Sequence, residues 1–182
     1  MAFKTGGDVV DGSASSGGFS TTFDFEAYPL GTIREELADE VVAATHTDGT
    51  TSLGLEGTRK WVFVQATVAL AAYDCVVQND VTTVNSRFLV RPTTSAGDNS
   101  LRVQGVAQNA IAITKYGWIV CAGQAVVKAA AITAGQFVDT DGGTASGNVD
   151  NNTTAGTLIG IALTATNAPV TGMCAMDVRL GQ

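Results

Sequence analysis

One histidine, three prolines, three cysteines and 15% charged residues are spread over 182 positions, and each shortage narrows the chemistry open to the chain. A single histidine cannot complete a Cys/His zinc site, and Cys75, Cys121 and Cys174 stand far apart with no C-x-x-C spacing. Each cysteine has an apolar setting (DCVV, WIVCAG, GMCAM), where free cysteine behaves as a small core residue. They read as reduced and structural, consistent with assembly in a cytosol. No run reaches the roughly 18 apolar residues of a membrane span, and no continuous apolar stretch resembles a signal peptide. The net charge is −7 and the pI about 4.4, a balance that makes nucleic acid a poor direct partner. The expectation is a protein with no membrane and no nucleic-acid partner.

What the chain has in quantity is small and apolar residues: 45% are hydrophobic and 21 are glycine. Its charges are segregated. Residues 1–56 hold ten acids and two bases, while residues 57–182 hold seven acids and eight bases, with no glutamate after Glu56. A surface so poor in charge has little self-repulsion and tends to associate, so part of it is expected to lie against other subunits.

Three zones follow. Residues 1–22 form a Gly/Ser-rich segment that cannot offset its own ordering entropy; it reads as a flexible tail, or as an arm that orders on a neighbouring subunit. Residues 23–56 carry the acidity. There Thr32 followed by Glu35 makes a capping box, and Ile33, Leu37, Val41 and Ala44 follow helical spacing, which predicts a short helix over about 33–44. From 57 to 182 the chain reads as strands. WVFVQATVAL, DCVVQND, RFLVRP, LRVQGVA, GWIVCAG, QAVVKAA, QFVDTD, LIGIAL and MCAMDVRL are short Val/Ile/aromatic runs separated by Gly, Asn, Asp and Pro turns, among them Asp150-Asn151-Asn152. The aromatics Trp61, Phe63, Tyr73, Phe88, Tyr116, Trp118 and Phe137 read as core anchors rather than a base-stacking platform.

A faint internal repeat runs through this zone. Residues 103–120 align without gaps to 158–175, with Gly105, Ala107, Ala110 and Gly117 recurring at Gly160, Ala162, Ala165 and Gly172. Upstream, 70–77 parallels 132–139 as strand, turn and strand. The expected fold is therefore all-β: a single β-sandwich or β-barrel-like domain, internally duplicated, with a flexible N-terminal arm and one short helix.

No catalytic site emerges. His46 lies in a Thr/Asp/Gly loop with no G-x-S-x-G or equivalent nucleophile, and no phosphate-cradling glycine loop is present. The carboxylate pairs Glu35-Glu36 and Asp39-Glu40 read as a solvated face. Asp139-Thr140-Asp141-Gly142-Gly143 with Asp150 begins like a calcium loop, but Gly143 and Thr144 stand where Asp/Asn and Gly are needed, so a long hairpin turn is the better reading. No catalytic, cofactor or metal residue is assigned. Arg59-Lys60 and Arg87/Arg91 are expected to serve as salt-bridge partners for a neighbouring subunit's acidic 23–56 region.

Four segments carry a resemblance: YPLGTIREE (28–36), KWVFVQATVALAAYDCVVQND (60–80), QGVAQNAIAITKYGWIVCAGQAVVKAAA (104–131) and LIGIALTATNAPVTGMCAMDVRL (158–180). In order, they resemble the small head-decoration (cement) proteins of tailed bacteriophages. The family pattern falls on Pro29–Thr32, Ala71–Val76, Tyr116–Trp118 with Gly123–Val127, and Ile132–Val138. The resemblance implies a non-enzymatic virion protein on the capsid exterior, made in the host cytoplasm, bound to the major capsid protein and commonly trimeric. It also implies a strand where periodicity predicts the start of a helix. The other class left open is a head-fibre or carbohydrate/receptor-binding β module, for which loop 139–154 is the candidate.

Overall fold

The computed structural model describes residues 19, 22–37, 55–80, 87–94, 102–129, 132–140, 147–151, 157–166 and 172–179. Among the described residues there are ten strands: β1 (Ile33–Glu36), β2 (Arg59–Ala66), β3 (Cys75–Gln78), β4 (Leu89–Pro92), β5 (Val103–Ala107), β6 (Tyr116–Ala129), β7 (Phe137–Asp139), β8 (Asp150–Asn151), β9 (Leu158–Ala162) and β10 (Gly172–Arg179). All ten are linked in one hydrogen-bonded order, β1-β2-β4-β3-β5-β6-β10-β9-β7-β8; a further β2–β6 pairing closes β2, β4, β3, β5 and β6 into a ring, and β10, β9, β7 and β8 extend from β6 as an open second sheet. The fold is all-β and barrel-like, as expected. GWIVCAG and QAVVKAA, read as two strands, are one: β6 runs for 14 residues. Its first part pairs with β2 and β5, and residues 122–129 pair with β10. Asp150 and Asn151, read as a turn, form the short edge strand β8 against β7.

Continuity of β6 rests on Gly123, with φ 93°. A side chain there would meet the Thr58 carbonyl and the Arg59 backbone. The β2–β6 register shifts at the same level, between Lys60 and Trp61. A bulge beside a left-handed glycine lets one strand leave the ring and enter the second sheet without breaking its ladder.

The helix predicted over 33–44 does not begin as one. Ile33–Glu36 is a strand, paired antiparallel to β2 from Ile33↔Val62 to Glu36↔Arg59; residues 38–44 lie outside the described residues. Tertiary context overrides the local pattern here. Thr32 holds the turn before the strand, its N–H and hydroxyl both donating to the Pro29 carbonyl at 3.0 and 2.7 Å. Glu36 turns inward instead of capping or facing solvent. Its Oε2 accepts from Arg59 Nε (2.7 Å) and Trp61 Nε1 (2.8 Å).

The suspected repeat is real at the level of single hydrogen bonds. β3-β5-β6 and β7-β9-β10 are neighbours in matching order, back to back across β6 and β10. Cys75↔Val106, Val76↔Gly105 and Val77↔Val103 in the first unit match Phe137↔Ile161, Val138↔Gly160 and Asp139↔Leu158 in the second, each with its bulge at the last step. Tyr73 N–H donates to the Ala107 carbonyl at 2.6 Å, and Gly135 N–H donates to that of Ala162 at 2.8 Å. The return bonds, Ala107 N–H to Asp74 and Ala162 N–H to Gln136, are both 2.9 Å. Tyr73 (φ 70°) and Gly135 (φ 83°) share the left-handed turn position. The units then diverge: Ala107 pairs with Ile119, whereas Ala162 pairs with Met176 rather than with Cys174, which the alignment sets against Ile119. A slip of two residues keeps every side chain on its original face.

Two large apolar clusters fill the fold, beside a small third one of Leu55, Val126 and Ala175. Val62, Val64, Ala66, Val76, Val90, Ala107 and Ile119 come from all five strands of the ring and, with Leu70 and Ile111, plug its inside. The larger cluster lies on the other face. It joins Trp61, Phe63, Cys75, Val103, Val106 and Trp118 to Val138, Ile159, Ala162 and Met176 of the second unit. Phe19, in the segment read as an arm, belongs to this cluster, stacked on Trp61 with ring centroids 4.8 Å apart. Trp61, Phe63 and Trp118 are core anchors as expected, but Phe137 is not: its side chain faces out and is 56% exposed.

Candidate functional site

Each polar residue singled out in the sequence is either tied into the frame or outside the described residues. Glu35 and Glu36 point to opposite faces of β1, as alternation requires. Glu36 is buried on Arg59, while exposed Glu35 lies 3.6 Å from Lys60. Two carboxylates held apart in this way cannot share acid–base work on one substrate. Asp39, Glu40 and His46 lie outside the described residues. Arg59 and Lys60, expected to pair with a neighbouring subunit's acidic region, both meet the acidic region of their own chain, at Glu36 and Glu35 respectively. Arg91 Nη1 donates to the Pro92 carbonyl at 2.9 Å, and the Arg87 guanidinium sits over the Phe88 ring at 5.2 Å.

Of loop 139–154, Asp139, Thr140 and Asn148 are buried, while 141–146 and 152–154 lie outside the described residues. Thr140 Oγ1 accepts from the Thr157 N–H at 3.1 Å and so fastens β7 to the start of β9. Among the described residues no group of three His, Cys, Asp or Glu is placed to hold a metal ion, and no helix is long and apolar enough to cross a membrane. The three cysteines are free thiols. Burial raises the pKa of Cys121 and Cys174, which keeps both protonated and poorly nucleophilic.

One part-buried ion pair joins parts of the fold that are distant in sequence. Lys128 Nζ donates to Asp74 Oδ1 at 2.7 Å, while Asp74 Oδ2 accepts from the Ala71 N–H at 2.7 Å. The Lys128 backbone N–H also donates to the Tyr73 carbonyl at 3.0 Å. The first unit's turn is thereby clamped to the part of β6 that belongs to the second sheet.

The remaining surface features are apolar. Val68 and Ile113 are exposed at one end of the ring, on loops locked by reciprocal Leu70–Ile111 backbone bonds of 2.8 and 3.0 Å. On the second unit Phe137, Leu158 and Leu163 are 56%, 49% and 41% exposed. Sequence reasoning missed this second group. Its signal was present in Phe137-Val138 and Leu158-Ile159, adjacent apolar residues that a strand must send to opposite faces.

No protein-family model matches the chain, and no curated protein matches it. Among solved structures it is similar to the head fiber gp8.5 N base of bacteriophage phi29, with a TM-score of 0.43 and 12% identity, over 67% of this chain and 98% of that one.

Proposed function

We propose that the protein is a non-enzymatic structural component of a tailed-phage head, binding the major capsid protein on the outside of the shell and stabilising it as a homo-oligomer, a trimer by preference. One observation carries this reading: the segments that resemble head-decoration proteins are those that set the frame of the fold. Pro29–Thr32 is the turn that delivers β1 to β2, with the Gly31 N–H on the Phe63 carbonyl at 2.8 Å. Ala71–Val76 and Ile132–Val138 are the two equivalent turns of the repeat, and Tyr116–Trp118 with Gly123–Val127 builds the strand shared by ring and second sheet. A resemblance at turns, bulges and close approaches concerns the positions where few residue types fit.

The mechanism is surface burial at several points at once. A contact of standard size buries roughly 800 Å² per partner, and a subunit assembly that straddles neighbouring capsomers gains avidity without new chemistry. A segment that orders on the shell would do so at an entropy cost and tie neighbours together. Because Phe19 is in the core, a test of the N-terminal segment must stop short of it. A chain lacking residues 1–16 is expected to keep the wild-type melting temperature and to lose co-sedimentation with empty shells of the parent phage. Undiminished shell binding would remove the arm from the mechanism. Failure of the full-length protein to bind expanded shells would overturn the proposal.

A further inference from the structure

We infer that the outer face of β7 and β9 is the docking surface for a second copy of this chain, with Phe137, Leu158, Ile161 and Leu163 as its apolar centre. The inference rests on the self-association in the proposed function and names its surface.

The internal repeat provides the argument. Phe137, Leu158 and Ile161 hold the positions of Cys75, Val103 and Val106 in the first unit. All three first-unit residues are buried in the large apolar cluster that also holds the second unit's Val138, Ile159 and Ala162. The chain therefore covers this face once, with a β surface of its own. In the second unit the face has kept its apolar character and gained a phenylalanine, and it lies open. An exposed row with no packing role drifts toward polar residues in a soluble strand; a larger aromatic at its centre fits a contact made by another surface.

Size and charge favour a second copy as the occupant. Side chains of roughly 150–250 Å² when aromatic and somewhat less when aliphatic, about half exposed, leave on the order of 300 Å² of apolar area on this face. An apolar patch of that size fits within a contact of roughly 800 Å² per partner as its centre, with room for a polar rim. Thr133, Ala134 and Gln136 around it are exposed and uncharged, which suits a rim. The acids are concentrated in residues 1–56, whereas 57–182 hold seven acids against eight bases. Asp177 on β10 stands directly opposite Ile161, half-buried, and puts one acid at the edge of this face; apart from it, two copies meeting through β7 and β9 bring together the part of the chain whose acids and bases nearly balance and which repels itself least.

The test is sedimentation equilibrium on the full chain, wild type against Phe137→Glu, with Ile113→Glu at the far end of the ring as control. The wild type is expected as an oligomer, Phe137→Glu as a monomer with unchanged far-ultraviolet dichroism and melting temperature, and Ile113→Glu as the wild-type oligomer. Should Phe137→Glu fail to fold, Leu163→Lys replaces it with the same expected loss of mass. A monomeric wild type at every concentration, a Phe137→Glu chain that keeps the oligomer mass, or equal loss in Ile113→Glu would each overturn the inference. Shell co-sedimentation separates it from the functional reading. An oligomer dispersed by Phe137→Glu, with no shell binding by the wild type, leaves the surface standing and removes the capsid role. A monomeric wild type that binds shells and loses them on Phe137→Glu assigns the face to the capsid protein and overturns the self-docking surface.

Discussion

Val106 and Ile161 occupy one position in two copies of the same strand–turn–strand plan, opposite Cys75 and Phe137 respectively. Val106 is 1% exposed inside the large cluster, while Ile161 is half-buried at the outer surface of the sheet. The backbone plan is the same down to the bulge, so backbone geometry does not explain the difference. What differs is the next layer. The first unit is closed twice, by the ring on one face and by the second unit on the other. The second unit is covered on one face only. A duplicated fold thus need not duplicate its burial: matching strand–turn–strand pairing coexists with one copy whose paired residues are core and another whose equivalent residues are half surface.

The sharpest way to break this contrast is to place a charge at both positions. Val106→Asp buries an unpaired carboxylate and is expected to cost several kcal/mol, on the order of the whole stability of a domain this size, so little folded protein should be recovered. Ile161→Asp is expected to cost under about 1 kcal/mol in the monomer. Urea unfolding of the two variants decides it. Similar losses in both would mean that the second unit's outer face is buried in the isolated chain and that the two halves are alike.

The paired glycines come next. A Cβ on Gly105 would run into the Val120 carbonyl, and one on Gly160 into the Asp177 carbonyl. Gly105 also has φ 153° and belongs to a closed ring, whose strands cannot separate independently. Gly105→Ala is expected to lower stability by about 3 kcal/mol. Gly160→Ala, between β10 and the short strands at the open edge, should cost about 1–2 kcal/mol because that edge can shift. Equal losses, read as shifts of the denaturation midpoint, would show that the open sheet is as rigid as the ring.

Asp74→Ala tests the joint between the halves. It leaves the Lys128 ammonium, 23% exposed, facing the emptied site. Water can reach that ammonium, so the expected loss is about 2 kcal/mol rather than the 3–5 typical of a fully buried pair. Amide exchange should quicken mainly in the turn at residues 71–74 and along 126–129. Faster exchange across the whole ring would mean that the pair supports the fold at large rather than the joint. Gly135→Ala is a smaller change still. Open space surrounds Gly135, so its φ of 83° alone sets a cost of about 1 kcal/mol, which Tyr73 already bears at the equivalent site.

The sequence made the strands legible because their Val, Ile and aromatic runs are short and bounded by turn residues; β2, β3, β4, β5, β7, β9 and β10 all fall on runs read as strands. The repeat was legible through its glycines, of which Gly105 and Gly160 recur because a backbone carbonyl approaches each of them. Three features were hidden for physical reasons. Ile33–Glu36 has helical spacing, and it is a strand through its pairing with β2 and the Arg59–Trp61 cradle for Glu36, contacts with residues distant in sequence that local spacing does not show. β6 reads as two strands because Gly123 resembles a stop, although its left-handed φ allows the strand to bend and continue. Phe137 reads as core because hydrophobicity alone does not say which of two adjacent apolar residues faces outward, and its neighbour Val138 takes the inside.

The smallest expected effect separates the halves by their thiols. Cys121 lies in the first unit, half-buried, its Sγ donating to the Lys60 carbonyl at 3.4 Å; Cys174 is buried in the second, its Sγ donating to the Thr164 and Ala175 carbonyls at 3.0 and 3.1 Å. Burial raises both above the ordinary 9.0. An unfolded thiol therefore loses its proton near pH 9 while the folded ones keep theirs, so over that range the native state binds more protons than the unfolded state. Stability must then fall as pH climbs past about 9, and it is unaffected by these groups below that value. Urea midpoints at pH 8 and pH 10 should show the decline in the wild type and a shallower one in Cys121→Ala and in Cys174→Ala. Alkylation of the native protein at pH 8 should reach Cys121 before Cys174, since only the former has solvent access. Reaction at Cys174 first would show that the second sheet opens more readily than the ring, and would turn the contrast between the two halves from one of burial into one of local stability.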